Sequence, residues 1–179
     1  MRRALGAAGV LLALWCHEAV ADPVRQLQDF LARTQTARGE FSQDIEAAGS
    51  SRRAQHSRGR FEFLRPGRFR WVYTSPYEET IVSDGERLFV YDPDLNQVTV
   101  KRLQGAIPAS PASILFGSND FERDFRVRAD GASDGVEWIL ATPKSQDSTF
   151  ERIRIGFRDG LPAAMQLTDS FGQKTALRF

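Results

Sequence analysis

The sequence predicts a mainly β protein with two or three helices, in which about eleven strands form an antiparallel sheet. Three observations support this prediction. Apolar and polar residues alternate with a period of two over most of the chain beyond residue 40. Turn-forming pairs such as Pro66-Gly67 and Asp159-Gly160 separate these runs, where tight hairpin turns are expected. The 179 residues, 41% hydrophobic and 26% charged, are typical of one globular domain.

The first 21 residues have the features of a secretory signal peptide. Arg2 and Arg3 form a basic segment, and residues 4–15 form an apolar segment that is too short to cross a bilayer, which needs about 20 residues. Small residues precede the predicted cleavage site between Ala21 and Asp22. We therefore expect export to the periplasm of a Gram-negative bacterium.

The mature chain, residues 22–179, contains little material for catalysis or metal binding. Without the leader it has no cysteine and only one histidine, His56. Trp15 precedes Cys16 where a lipid-attachment signal has a small residue, which argues against a lipid-anchored form. The net charge of +1 for the full chain does not favour nucleic acid or anionic lipid. We expect a monomer that is not an enzyme and has no cofactor, metal ion or nucleic-acid partner.

Two apolar segments predict helices. Asp22 caps a segment with apolar residues at helical spacing, which predicts a helix over Pro23–Gln35. A shorter helix is predicted over Pro111–Phe116, between about six strands and about five strands. The basic segment Ser50–Arg60, which contains His56, predicts a solvated hairpin loop.

Aromatic residues are abundant on the predicted strands. Phe61, Phe63, Phe69, Trp71 and Tyr73 alternate with polar residues on successive strands. A curled sheet either fills its interior with such side chains or encloses a cavity. These residues therefore form either an ordinary core or the wall of an apolar pocket beneath the helices, as a carrier of acyl chains would require.

Several segments resemble the LolA family of periplasmic outer-membrane lipoprotein carriers. They are FSQ at 41–43, GRF at 59–61, RPGRFRWVYTSPYEETIVSDGERLFVYDPDLNQV at 65–98, SPASILFG at 110–117, and RDG at 158–160 with Pro162. The resemblance implies an unclosed antiparallel β-barrel with a helical lid over an apolar cavity. It also implies a carrier that accepts acylated lipoproteins from an inner-membrane ABC transporter and delivers them to an outer-membrane lipoprotein receptor.

The resemblance further implies roles for particular residues. Arg65 is implied to hydrogen-bond the lid helices, Pro23–Gln35 and Pro111–Phe116, when the cavity is empty. Phe69 is implied to lie at the cavity or its mouth and to matter for engagement of the transporter. The residues expected to line the cavity and contact lipid are Phe61, Phe63, Phe69, Trp71, Tyr73, Leu88, Val90, Ile114, Leu115 and Phe116.

One departure and two alternatives stay open at the level of sequence. Members of the family usually continue beyond the strand that ends at Phe179 with a further segment, so edge closure and any role of that tail are undetermined. A receptor or envelope sensor of the same fold would bind lipoproteins or lipid without shuttling them. A secreted hydrolase would have to use His56.

Overall fold

The structure is a computed structural model that describes residues 22–49, 54–102, 115, 121–146 and 148–179. These residues form two helices and eleven strands: α1 (Pro23–Arg33), β1 (Thr36–Glu46), β2 (Gln55–Leu64), β3 (Arg68–Ser75), β4 (Glu79–Asp84), β5 (Arg87–Asp92), β6 (Gln97–Arg102), α2 (Phe121–Asp124), β7 (Phe125–Ser133), β8 (Val136–Pro143), β9 (Phe150–Arg158), β10 (Leu161–Asp169) and β11 (Lys174–Arg178). No helix among these residues is long and apolar enough to cross a membrane.

All eleven strands belong to one antiparallel sheet. Its order is β6-β5-β4-β3-β2-β1-β11-β10-β9-β8-β7, so the first six strands and the last five form two meanders. The pairing of β1 with β11, from Ser42 opposite Arg178 to Glu46 opposite Lys174, joins the two halves. In the described part of the chain β6 and β7 do not pair with each other, and the sheet stays open. The predicted fold class is confirmed in its strand number and its unclosed sheet.

The inner face of the sheet, defined by Phe41, Trp71, Ile155, Met165 and Leu177, forms the core. These side chains from both halves of the sheet belong to one buried cluster, and they are between 0% and 4% exposed. Because strands that are far apart in the sheet share this cluster, the sheet curls around it. Burial of large apolar side chains contributes about 1.5–3 kcal/mol each, so this cluster is the main source of stability.

Helix α1 begins and ends where local chemistry requires. The Asp22 carboxylate accepts a hydrogen bond from the Val24 amide at 3.0 Å, and Pro23 occupies the first turn. The helix is two residues shorter than the predicted Pro23–Gln35, because Thr34 has an extended backbone and β1 begins at Thr36. Its buried residues are Pro23, Leu27, Phe30 and Leu31.

The expected loop over Ser50–Arg60 is wrong from Gln55 onward, and residues 50–53 of it lie outside the described residues. Strand β2 begins at Gln55, and Ser57 and Gly59 lie buried on the inner face. His56 points to the other side of this strand, where its ring nitrogen lies 2.8 Å from Asp44 on β1. The hairpin is therefore longer than the basic composition indicates, since the exposed face of a strand tolerates charged residues.

The position of Gly59 on β2 has no room for a side chain. A Cβ atom there would overlap the backbone carbonyl of Val72 and would come within 2.7 Å of the Phe41 ring. Phe41 lies across from Gly59 in the β1–β2 ladder and covers the bare backbone. Glycine is thus required for the large ring of Phe41 to turn inward.

The apolar alternation in β8 is a second place where sequence pattern and structure differ. Val136 and Trp138 appear in a strong alternating run, yet the inward-facing residues are Ile139 and Ala141, both 0% exposed. Trp138 lies on the outer face opposite Gly156 and is covered by the Arg154 guanidinium, whose carbon is 4.6 Å from the ring centre. This outer packing buries Trp138 without placing it in the core.

Candidate functional site

The predicted lining residues that the structure describes lie together on the inner face. Five of them are buried, and three more pack against the same cluster. The buried ones are Phe63, Phe69, Trp71, Leu88 and Leu115, and the partly buried ones are Phe61, Tyr73 and Val90. Ile114 and Phe116, and all of the predicted Pro111–Phe116 helix except Leu115, lie outside the described residues; Leu115 itself is helical.

Cross-strand pairing explains why these residues meet. Phe61 is opposite Trp71, and Phe63 is opposite Phe69, in the β2–β3 ladder. Directly opposite residues share one face of a sheet, so a motif that alternates on both strands forms a continuous aromatic surface. In the structure the described side chains of this surface belong to one buried cluster.

Phe41 is part of this aromatic surface, although it was not among the residues expected to line it. Its ring stacks on Trp71 with a centroid distance of 3.9 Å, and it meets the edge of Tyr73 at 5.3 Å. Trp71 also stacks against Phe61 at 5.8 Å. The FSQ motif at 41–43 indicated a strand, but the pairing that brings Phe41 to Trp71 depends on the β1–β2–β3 register.

Helix α1 covers one end of the inner face. Phe30 makes edge-on contacts with Phe63 on β2 at 6.4 Å and with Phe157 on β9 at 6.3 Å. Two polar contacts also hold the helix. The Gln26 side chain donates a hydrogen bond to Glu137 on β8, and the Gln28 side chain donates one to Glu122 on α2 at 2.7 Å. A single amphipathic helix therefore bridges the two halves of the sheet.

Arg65, which follows β2, binds the backbone carbonyls of Thr34 and Leu115. Its Nε donates to the carbonyl of Thr34, the residue after α1, at 3.0 Å. Its Nη2 donates to the carbonyl of Leu115 at 2.7 Å. The guanidinium carbon lies 5.2 Å from the Phe30 ring centre and 5.1 Å from that of Phe63. Arg65 thus ties α1 and the Leu115 segment to the β2–β3 hairpin.

Burial of the charged Arg65 side chain is unfavourable in free energy. The residue is only 3% exposed, no acidic partner is recorded for it among the described residues, and its Nη1 atom has no hydrogen-bond partner there. Burial lowers the pKa of Arg65 to about 10, so the side chain keeps its charge at neutral pH. A buried charge that is incompletely satisfied contributes less stability than its short hydrogen bonds imply.

The other end of the inner face is open. A cleft of about 260 Å³ lies there, and its apolar lining consists of Ile45, Phe150 and Leu167. Phe150 and Phe157 are seven residues apart on β9, so this cleft is about 23 Å along the strand from the contact of Phe157 with α1. Of the residues expected to line a cavity, only Tyr73 borders this cleft.

The described residues hold no group of three or more His, Cys, Asp or Glu side chains placed to bind a metal ion. His56 is half exposed on the outer face, and its neighbour Asp44 is also bound by Arg178 at 3.3 Å. These contacts, with the His56 hydrogen bond first, hold the pKa of Asp44 below its ordinary value. The arrangement is an ordinary surface ion-pair cluster.

The expected cleavage site is described only on one side. Asp22 is the cap residue of α1, while Ala21 lies outside the described residues. Cleavage after Ala21 would leave the cap in place, so the signal-peptide boundary stays a prediction that is compatible with a complete first turn.

Comparisons with known proteins agree with the resemblance. The sequence profile of the family described as outer membrane lipoprotein carrier protein LolA matches residues 32–179. The outer-membrane lipoprotein carrier protein of Cupriavidus pinatubonensis is 47% identical over 175 residues, which cover 97% of this chain and 82% of that protein. The protein of the same name from Ralstonia nicotianae is 46% identical over 182 residues, covering 99% and 85%.

Solved structures align with this chain at much lower identity. MucB aligns with a TM-score of 0.50 and 16% identity, covering 87% of this chain and 55% of that chain. A LolA superfamily protein from Nitrosomonas europaea aligns with a TM-score of 0.47 and 10% identity, covering 86% and 88%. Similarity at this level concerns the fold alone.

Proposed function

Because this chain belongs to the LolA family of outer membrane lipoprotein carrier proteins, we propose that it carries acylated lipoproteins through the periplasm. It would accept them from an inner-membrane ABC transporter and deliver them to an outer-membrane receptor. The observation that carries this proposal is the 47% identity to a named carrier over 97% of the chain. The proposal includes removal of residues 1–21 on export, a monomeric carrier and no catalytic activity.

The inner face supplies the surface that such cargo needs. Moving one CH₂ group out of water gains about 0.8 kcal/mol, so an acyl chain of about sixteen carbons gains on the order of 12 kcal/mol. A lipoprotein with several such chains does not leave a membrane for water at a useful rate. The aromatic surface around Phe41, Phe61 and Trp71 offers an apolar alternative to the membrane.

Cargo can reach this surface only if α1 moves. Leu27, Phe30 and Leu31 fill the space over the inner face and are 1%, 5% and 6% exposed. We infer that α1 and the Leu115 segment are displaced together, and that acyl chains replace their side chains on the sheet. The exchange substitutes one set of apolar contacts for another, so its free-energy change is small compared with the gain from burying cargo.

Arg65 is suited to control that displacement. It holds both covering segments through backbone carbonyls, and its own burial is unfavourable, so the closed arrangement is stable yet easily opened. We propose that Arg65 acts as a latch, and that re-forming its two hydrogen bonds helps to expel cargo during delivery to the receptor. Phe69, beside Phe63 at the same end, is proposed to lie at the mouth and to serve loading from the transporter.

The test is release of a tagged, acylated lipoprotein from inner-membrane vesicles that contain the transporter and ATP. We expect the purified chain to bring the lipoprotein into the soluble fraction, with the acyl chains identified in the complex by mass spectrometry. The same lipoprotein with its acylated cysteine replaced should not be recovered in complex with the purified chain. Recovery of no acylated species would contradict the carrier function, and stable binding without transfer to receptor-containing liposomes would favour the receptor or sensor alternative.

A further inference from the structure

The open cleft at the end of the inner face away from α1 has a composition unlike the rest of that face. It is bordered by β1, β3, the start of β9, β10, the turn after β10 and the start of β11. Its lining residues are Gln43, Ile45, Tyr73, Thr149, Phe150, Leu167, Asp169, Gln173 and Thr175. Six of these nine carry a polar side chain, whereas the buried residues that the structure describes are mostly apolar, apart from Gln43, Ser57, Arg65 and Ser83.

Its polar groups are positioned by the fold. Gln43 is only 5% exposed, and its side-chain oxygen accepts a hydrogen bond from the Tyr73 hydroxyl at 3.2 Å. This bond leaves the Gln43 amide N–H groups as the donors that it can offer to a ligand. The Thr149 and Thr175 hydroxyls add further donors at the rim. Donors gathered above an apolar floor suit a ligand with carbonyl oxygens beside a hydrocarbon chain.

The charge of the cleft restricts the ligand further. Asp169 is the only charged residue in the described lining. Its carboxylate accepts the amides of Phe171 and Gln173, each at 2.9 Å, which fixes the β10–β11 turn. A phosphate or free carboxylate placed here would meet this negative charge and no cation among the described lining residues, so it would lose hydration without compensation.

The size of the cleft decides which part of a ligand it holds. Pockets for whole small molecules measure about 300–1,000 Å³, and the cleft, at about 260 Å³, is too small for a complete acyl chain with its head group. Its apolar wall continues into the core, because Leu167 lies opposite Ile153 and Gln43 follows Phe41 on the same face. A ligand with its head in the cleft would therefore extend its chain along the inner face.

We propose that this cleft binds the neutral junction of acylated cargo, where ester or amide carbonyls join the acyl chains, and that it discriminates against anionic amphiphiles. The inference rests on the proposed function, since it assumes that the chains lie on the inner face. It assigns to the chain a means of rejecting phospholipids and fatty acids, which share acyl chains with lipoproteins but carry a phosphate or carboxylate.

Three probes that share the same acyl chain test this proposal: dodecanoylglycerol, dodecanoylglycerol phosphate and dodecanoate. Their binding is measured by calorimetry below their critical micelle concentrations. We expect the neutral ester to bind at least about tenfold more tightly than either anion. Tyr73→Phe should weaken binding of the neutral ester by about threefold to tenfold, as the loss of one hydrogen bond predicts. Its effect on dodecanoate should be smaller.

Gln173→Lys adds a cation at the rim and is the decisive variant. It should raise the affinity for the phosphate probe, relative to the affinity for the neutral ester, by about fivefold or more. Gln97→Lys is the matched control, because Gln97 is exposed on edge strand β6 outside the cleft, and it should change neither affinity. Circular dichroism establishes that each variant is folded.

The outcomes separate this inference from the carrier function. If all three probes bind equally and Gln173→Lys has no effect, the cleft proposal is wrong while the carrier function stands. Tighter binding of the phosphate probe by the unmodified protein would also overturn the proposal. If no acyl probe binds at all, the proposed function itself fails.

Discussion

The two ends of the inner face are closed in different ways. At one end, α1 covers the sheet with apolar side chains, and the buried Arg65 joins it to the β2–β3 hairpin. At the other end, Gln43 and Tyr73 border a cleft that stays open to solvent. The first end has to move before cargo can enter, whereas the second can meet an amphiphile without rearrangement. In our account, control of access and recognition of the cargo's polar part are therefore separated along the strands.

The largest expected effect on lipoprotein release comes from a substitution at the end that α1 covers. Phe69→Glu places a carboxylate at a site that is 5% exposed, at a cost of several kcal/mol unless it finds water or a partner. We expect release from inner-membrane vesicles to fall at least about tenfold, while the fold survives. Arg70→Glu is the matched control, because it adds a carboxylate at the next residue on the exposed outer face.

Two measurements make this expectation decisive. Thermal unfolding followed by circular dichroism reports whether Phe69→Glu is folded, and Phe69→Leu keeps an apolar side chain in case it is not. If the folded Phe69→Glu variant releases lipoprotein normally, the proposal that Phe69 lies at the mouth is wrong. Equal loss in the Arg70→Glu control would show that charge, rather than position on the inner face, causes the defect.

Arg65→Leu should affect a different step. The variant removes two charge-assisted hydrogen bonds to Thr34 and Leu115, each worth about 1.5–3 kcal/mol, although the relief of burying a charge offsets part of this loss. We expect normal loading and about tenfold slower delivery to receptor-containing liposomes. Because the pKa of Arg65 is about 10, deprotonation should not mimic the variant in the neutral range.

Arg68→Leu provides the comparison for Arg65→Leu, since Arg68 is an exposed arginine three residues later. It should load and deliver as the unmodified chain does. A loading defect in Arg65→Leu that equals the defect in Phe69→Glu would show that the two residues do not have separate roles.

The smallest effect on stability and lipoprotein transfer is expected from a substitution that lies at neither end of the inner face. His56→Ala removes an exposed hydrogen bond to Asp44, and exposed pairs contribute about 0–1 kcal/mol. Because the folded pKa of Asp44 is lowered, its stabilisation is present at neutral pH and is lost as the pH falls through that lowered pKa. Thermal unfolding should therefore shift slightly at neutral pH and less in acid, and lipoprotein transfer should not change. Loss of transfer would revive a catalytic role for His56.

The sequence predicted the fold class and one of these two ends. Alternation and turn pairs predicted about eleven strands, and the family resemblance implied an arginine, Arg65, that hydrogen-bonds the lid helices. These features are local in sequence, and the resemblance to a known family covers them. Arg65 donates to the carbonyl of Thr34, the residue after α1, and its role as a latch stays a prediction.

Features that depend on distant pairing were not predictable. The cleft collects residues from β1, β3, β9, β10, β11 and the turn before β11, and none of them forms a motif with another. Trp138 belongs to an apolar alternation, yet it lies on the outer face because Arg154 and Gly156 bury it there. The helix end at Arg33 and the strand start at Gln55 were misplaced for a related reason, since local composition does not show where a sheet begins.

The most direct test of the central claim is a reversible link between α1 and the sheet. Gln26 on α1 and Glu137 on β8 touch through their side chains, so Gln26→Cys with Glu137→Cys can be joined by a short bis-methanethiosulfonate reagent and freed by reductant. The single-cysteine variants, treated with the same reagent, are the controls. We expect the linked protein to take up no acylated lipoprotein from inner-membrane vesicles, and the reduced protein to take it up normally. Equal uptake in the linked and reduced states would contradict the claim that α1 must leave the inner face for cargo to bind.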